Sequence, residues 1–322
     1  DAWPGVVCPE DREDLVERGG ELACPRGHRW AVVSGVARMA GGGSYADAFG
    51  LQWNTYRRTQ LDSYTGLPLS RERARRCLGE AAWSFLHRDP PVDVLEVGCG
   101  AGRFTEVLLS TRARVTSVDL SSAVDANREN FPPGDRHRIL QADVRTLPFH
   151  EHQYDVVFCL GVIQHTPDPE ETIARLYAQV KPGGWLAIDH YARHLSWYTK
   201  TAPLFRVVMK RLPPRVSLRW SRALVGVFFP LHRAARHSHA AQMVVSRISP
   251  VLSYYHSLPL PDDLQRQWAL LDTHDSLTDW YKHFRSPEQI RSTLQSLGAV
   301  EIWCAPGGNG VEARCRRPAR NA

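Results

Sequence analysis

The apolar run Val94-Leu95-Glu96-Val97 leads directly into Gly98-Cys99-Gly100-Ala101-Gly102 and then into Arg103-Phe104-Thr105-Glu106-Val107-Leu108-Leu109. This order predicts a buried strand that turns through a glycine loop into a helix. Glycines permit positive φ and let the backbone approach a ligand with no Cβ between them. The first turn of the helix offers unpaired N–H groups to a polar or anionic moiety. The spacing narrows the ligand. A dinucleotide fingerprint reads G-x-G-x-x-G, but here the third glycine arrives one residue early, and no lysine follows to make a P-loop. The expected cofactor therefore lacks a pyrophosphate.

Four further strand-and-turn signals follow at regular intervals. Arg114-Val115-Thr116-Ser117-Val118 ends at Asp119, whose carboxylate can accept two hydrogen bonds from ribose hydroxyls, with Leu120 next to it. Arg138 to Ala142 ends at Asp143, followed by Val144. Tyr154 to Leu160 runs into Gly161-Val162-Ile163-Gln164-His165, and Val180-Lys181-Pro182-Gly183-Gly184 turns into a fifth strand from Trp185 to Asp189. Strands alternating with helical stretches predict a doubly wound parallel sheet.

These five motifs, in this order from Val92 to Tyr191, resemble the class I S-adenosylmethionine (SAM) dependent methyltransferases. The resemblance implies an α/β fold: a doubly wound, seven-stranded Rossmann-like sheet with an antiparallel last strand. It also implies that Glu96 with Gly98, Cys99, Gly100 and Gly102 holds the methionine end of SAM. Asp119 would bind the ribose, with Leu120 beside it also contacting the cofactor, Asp143 and Val144 the adenine, while Leu160 and Gly161 line the methionine side. Near the end, 299–304 and 311–315 flank Gly307-Gly308-Asn309-Gly310, a hairpin signal that would supply strands six and seven.

At 322 residues the chain can hold one such core with additions at both ends. The sequence divides into a ribbon-like module over 1–40, a helical lid over 41–90 behind Gly41-Gly42-Gly43, and the SAM core over 91–191. An insertion over 192–284 and a final helix, hairpin and basic tail over 285–322 complete it. Seven cysteines without a paired framework fit a reducing compartment, so a cytoplasmic protein is expected. The longest apolar run, Ala223 to Leu231, falls far short of the roughly 20 residues that span a bilayer, and no membrane partner is expected. The formal charge of +6 invites nucleic acid, yet Glu10, Asp11, Glu13, Asp14, Glu17 and Glu21 make the N-terminal module acidic. Arg314, Arg316, Arg317 and Arg320 read as a solvated tail.

Cys8-Pro9-Glu10-Asp11 and Cys24-Pro25-Arg26-Gly27-His28 resemble the knuckles of a zinc ribbon, similar to the one that precedes ribosomal RNA guanine methyltransferases. Asp11 stands where a second cysteine is usual. A metal site would use Cys8, Asp11, Cys24 and His28; otherwise the module is a ribbon that keeps the fold without the ion. The aromatic and amide-rich stretch after the glycine linker resembles the helical lid of such enzymes, with Gln52, Trp53, Tyr56 and Gln60 suited to cover an adenosine.

Methyl transfer needs a positioned acceptor and a group to take one proton, and His has a suitable pKa. The candidates are His165 after strand four, and His190 and His194 beside the end of strand five. The insertion carries helical apolar patterns separated by Pro213-Pro214, Pro230 and Pro259-Leu260-Pro261, and reads as a cap over the acceptor. Tyr191, Tyr254, Tyr255, His256, Asp272, His274 and Trp280 would contact that acceptor. The alternative use of the insertion is a homodimer surface, since Phe228 and Phe229 would be exposed if nothing covered them. The leading reading is transfer to O or N of a small molecule, such as a sugar, nucleoside or other natural-product intermediate. RNA methylation, and a SAM-binding protein that transfers no methyl group, are the alternatives.

Overall fold

The structure is a computed structural model and describes residues 3–41, 45–193 and 200–319. The N-terminal module contributes four short strands: β1 (Val16–Arg18), β2 (Glu21–Ala23), β3 (Arg29–Val33) and β4 (Val36–Arg38). Helices α1 (Asp47–Thr55), α2 (Asp62–Thr65) and α3 (Leu69–Phe85) follow. The core then alternates β5 (Asp93–Val97), α4 (Thr105–Leu109), β6 (Arg114–Asp119), α5 (Ala123–Asn130), β7 (His137–Gln141), β8 (Tyr154–Cys159), α6 (Pro169–Ala178) and β9 (Val180–Tyr191). The insertion comprises α7 (Ala202–Met209), α8 (Pro214–Ala234), α9 (His239–Ile248) and α10 (Asp262–Thr278). Last come α11 (Pro287–Ser296), β10 (Val300–Gly307) and β11 (Gly310–Arg316).

The strands form one sheet in the order β1-β2-β3-β4-β7-β6-β5-β8-β9-β11-β10. From β7 to β9 all pairs are parallel, and β11 enters antiparallel between β9 and β10. The chain winds outward from β5 in both directions, so the crevice at the carboxyl ends of β5 and β8 is the switch point where α/β folds bind ligands. Apolar residues on both faces explain the parallel strands: Leu95 and Val97 pack on one side, Val94 on the other.

The sheet has eleven strands where seven were expected. The reason lies at β7, whose outer edge would otherwise leave a row of backbone groups unpaired. The N-terminal module covers it: Val36, Ala37 and Arg38 pair in parallel with Ile139, Leu140 and Gln141, and Val36 and Ala37 are fully buried there. The module is further fixed by Val7 N–H to the Pro148 carbonyl (2.9 Å) and Arg12 to the Leu147 carbonyl (2.7 Å). Cys8, Leu15, Leu22 and Cys24 share a core with Val144 and Phe149.

Two sequence expectations fail for local reasons. Pro230 lies within α8 and does not end it; it leaves the Gly226 carbonyl without its ladder partner, but Gly226 and Pro230 are both exposed, so water can serve that carbonyl. The basic tail is not a free tail. Arg314 and Arg316 belong to β11, and Arg316 and Arg317 donate to the carbonyls of Gly183 (2.9 Å) and Tyr177 (2.6 Å). Arg320 lies outside the described residues.

Candidate active site

At the end of β5 the chain turns at Gly98, φ +74°, where a Cβ would stand 2.0 Å from a Val162 methyl. Gly100, φ +51°, lies under the indole of Trp53, which would be 3.3 Å from a Cβ there. Only glycine fits either position. The turn is tied to β6: the N–H groups of Gly98 and Cys99 donate to the Val118 carbonyl at 2.7 and 3.1 Å, and Gly100 N–H donates to Asp119 Oδ2 at 3.0 Å. Ser121 donates to Asp119 Oδ1 from its N–H (2.8 Å) and its hydroxyl (2.7 Å). Asp119 is thereby held in one orientation, and burial raises its pKa despite these bonds.

Above this loop lies a cavity of about 900 Å³. Its cofactor half is walled by Gly98, Cys99, Gly100, Asp119, Leu120, Asp143, Val144, Leu160 and Gly161, with Trp53 and Gln60 from the lid. Its other half is walled by His165, Tyr191, Tyr254 and Asp272. These sequence-predicted residues thus meet around one chamber. SAM fits the cofactor half on three observations: a glycine turn without room for side chains, a carboxylate fixed at the end of β6, and apolar Leu120 and Val144 lining the same chamber as Asp143. Asp143 is also paired with Arg145 at 2.7 Å.

Other predicted residues stand elsewhere. Glu96 does not line the chamber; it lies beneath the loop and accepts from Thr105 Oγ1 (2.6 Å) and Ser117 Oγ (2.8 Å), with burial pushing its pKa up to about 7. It positions the loop and α4. Gly102 also lies off the chamber wall, packed against Phe131. Gln52 is fully buried and joins α1 to α10 through His274 Nδ1 (2.8 Å) and Asp275 (3.2 Å). His274 is likewise structural: Ser217 Oγ stands 3.1 Å from its Nε2, and burial pushes its pKa down to about 4.

His190 points from the opposite face of β9 to Tyr191, with its Nδ1 3.0 Å from the Tyr191 carbonyl, and burial holds it at about 4. Tyr255 packs on Phe229, His256 stacks edge-on with His239, and Trp280 is exposed under the Lys210 ammonium. None of these lines the chamber. His194 lies outside the described residues.

His165 is the histidine that the structure brings to the chamber. Its Nδ1 is 3.2 Å from the Tyr281 carbonyl and 3.4 Å from Asp279 Oδ2. Both neighbours accept, so Nδ1 carries the proton and Nε2 keeps a lone pair. Burial works against the charged imidazole, but the Asp279 carboxylate outweighs it and raises the pKa above its ordinary value. Asp279 is itself held by Arg206 (2.5 Å) and Lys282 (3.0 Å). Across the chamber, Asp272 accepts from Gln60 Nε2 (3.0 Å) and from the Tyr254 hydroxyl (2.5 Å), and burial raises its pKa to about 7.

Three charged residues of the site have no sequence motif. Asp279 is one. Arg103 faces the chamber with Nη1 2.9 Å from Gln60 Oε1, its pKa lowered to about 10 by burial and by Arg73. Arg73 pairs with Asp189, whose other oxygen accepts from Gly161 N–H at 2.6 Å. Only the position of Arg103, directly after the last loop glycine, marks it in the sequence.

Residues 95–188 match the profile of a family described as "Methyltransferase domain". The ubiquinone biosynthesis O-methyltransferase of Nitrosospira multiformis is 32% identical over 124 residues, 38% of this chain and 52% of that protein. The enzyme of the same name from Coxiella burnetii (strain Dugway 5J108-111) is 32% identical over 122 residues, 37% of this chain and 52% of its own length. The chain thus spans about half the length of the curated relatives it matches.

Among solved structures, a SAM-dependent methyltransferase of Methanosarcina mazei matches with a TM-score of 0.41 at 12% identity, covering 74% of this chain and 98% of that one. The CurJ carbon methyltransferase matches with a TM-score of 0.43 at 14% identity, covering 74% and 51%. These likenesses are distant; the assignment rests on the profile match, the strand order and the site. Residues 95–188 form a SAM-dependent methyltransferase domain.

Proposed function

We propose that this protein transfers the methyl group of SAM to a hydroxyl oxygen of a small molecule held between the strand ends and the helical insertion. The observation that carries the reading is the placement of His165, tethered to Asp279, in the same chamber as Asp119. Bound SAM would supply a methyl group on a positively charged sulfur, so an in-line attack forms the O–CH3 bond, breaks the S–CH3 bond and leaves a neutral thioether. Asp119 would hold the ribose and Asp143 with Val144 the adenine. Arg103 is suited to the carboxylate of the methionine end. His165 Nε2 takes the acceptor's proton, while Asp279 fixes the imidazole and stabilises its charged form. The walls that Tyr254, Trp268 and Asp272 of the insertion add to the chamber support a small acceptor over an RNA strand. Asp272 and Asp275, which both wall the chamber, favour one variation: an amine acceptor, whose ammonium form they would hold.

The test is methyl transfer from labelled SAM to pools of phenols, sugars and amines, with RNA as a control. Label is expected in a small hydroxylated product. His165→Ala should slow that transfer by about a hundredfold or more while leaving SAM affinity nearly unchanged. Label appearing only in RNA would contradict the reading.

The N-terminal module supports a structural zinc ion. The ligand atoms of Cys8, Asp11, Cys24 and His28 all lie within 4.8 Å of one another. His28 Nδ1 is 3.5 Å from Cys8 Sγ, 3.4 Å from Cys24 Sγ and 3.1 Å from Asp11 Oδ2, and Cys24 Sγ is 3.2 Å from Asp11 Oδ2. Tetrahedral zinc with bonds of about 2.0–2.3 Å places its ligands roughly 3.3–3.8 Å apart. The four side chains already approach that spacing, with Asp11 serving as the oxygen ligand.

A further inference from the structure

The outer face of the insertion has no place in the chemistry above, and the segment that carries it is one-sided in charge. Between Asp189 and Asp262 the chain carries eleven Arg and Lys residues and no Asp or Glu. The same segment holds most of the exposed large apolar side chains: Leu204 is 72% exposed, Val227 67% and Val244 66%. Phe229 is not among them, because it is buried against Tyr255 and Val251.

Helix α8 divides into three faces. Ser217, Leu218, Ser221, Val225 and Phe229 are buried. At about 100° per residue, Val216, Trp220, Val227 and Leu231 fall within about 60° of arc on the opposite side. All four are exposed. Arg215, Arg219 and Arg222 line one side of that stripe; Arg233, on the same side, is paired with Asp262 at 2.8 Å. On α7, Leu204, Val207 and Val208 are exposed at helical spacing, and on α9 so are Val244 and Ile248. These helices adjoin. Thr201 at the start of α7 donates to the Arg247 carbonyl (3.1 Å) and the Ile248 carbonyl (3.0 Å) at the end of α9, and α7 packs on Leu224 of α8.

We propose that α7, α8 and α9 form a docking surface for an anionic phospholipid bilayer. Charge decides the occupant. Arg206 and Arg233 are answered by Asp279 and Asp262, but apposing two copies of this face would bring Arg215, Arg219 and Arg222 together with no carboxylate on α7, α8 or α9 to answer them. A nucleic acid would pair with the arginines but would leave the Leu, Val and Met side chains in water. A bilayer interface takes both: aliphatic side chains enter the acyl boundary and Arg and Lys reach back to lipid phosphates. Each basic residue near such a surface adds about 1 kcal/mol of attraction. Lys200, which lines the chamber, directly precedes Thr201, so the chamber rim borders the docking face. The surface departs from the sequence expectation of no membrane partner. Among the described residues no helix is long and apolar enough to cross a membrane, and docking needs none.

The test is co-sedimentation of the full chain with vesicles of phosphatidylcholine alone or with about one third phosphatidylglycerol. Binding at least tenfold tighter to the anionic vesicles is expected, weakening as salt rises. Arg215→Glu with Arg219→Glu, and separately Val227→Asp with Leu231→Asp, should each lower that binding by about tenfold or more. All four side chains are exposed and outside the chamber, so thermal melts and methyl transfer to a soluble acceptor should match the parent. Failure to sediment with either vesicle, or variants that bind as the parent does, would overturn the proposal. So would vesicle-independent dimerisation that Val227→Asp abolishes, which would make this face an interface between copies, or a preference for RNA over vesicles.

Discussion

Asp279 Oδ2 lies 3.4 Å from His165 Nδ1, and it arrives from the end of α10, more than a hundred residues along the chain. A base must be neutral to accept a proton, so transfer should rise with pH through the pKa of His165. The Asp279 carboxylate raises that pKa, which sets the acidic limb above the ordinary histidine range. Asp279→Asn removes the charge that favours the imidazolium. The limb should then move to lower pH, and the plateau rate should fall because the ring loses its orienting partner. A pH–rate profile of the two proteins checks both signs, and a limb that stays in place would contradict the pairing.

Asp272 offers a stability test. Its pKa is raised by burial to about 7 from 3.8, so between those values the folded protein binds the proton more tightly than the unfolded chain. Stability is therefore lost as pH rises from about 4 towards 7. Asp272→Asn keeps the shape without the charge. Its urea midpoint relative to the parent should be higher at pH 8 than at pH 5, while acceptor methylation falls. Equal shifts at both pH values would show that Asp272 is not neutral in the folded protein at low pH.

The cluster of Cys8, Asp11, Cys24 and His28 predicts close to one zinc per chain by elemental analysis. Chelation should lower the melting temperature, because the metal would be bound only by the folded module. The effect should extend to the core, since β4 of the same module completes the edge of β7. Cys24→Ser should abolish zinc retention. Metal-free protein whose melting is indifferent to chelator would identify a ribbon that keeps its fold without the ion.

The cofactor half of the site was readable because its residues follow strand ends directly: Gly98, Asp119, Asp143 and Gly161 each mark a turn at the same sheet edge. Two assignments failed because the side chains are taken by local partners. Glu96 is held beneath the loop by Thr105 and Ser117, and His190 by the Tyr191 carbonyl, so neither lines the chamber. On α10, Trp268, Asp272 and Asp275 occupy one helical stripe facing the chamber, and His274 lies off it. That stripe needs the helix boundaries to be seen. The eleven-stranded sheet was not readable at all. Nothing in Val36-Ala37-Arg38 itself says that its partner is β7, about a hundred residues away, and only the unpaired edge of the core gives that segment its place.

If Asp119 and the glycine loop form a SAM site, equilibrium calorimetry will read it. Titration of SAM into the purified chain should give one site per chain with micromolar affinity, about −8 kcal/mol. Asp119→Ala removes the carboxylate that would hold the ribose hydroxyls and should weaken binding by about tenfold or more, with the fold intact by circular dichroism. Equal affinity in both proteins, or no heat of binding in either, would contradict the account.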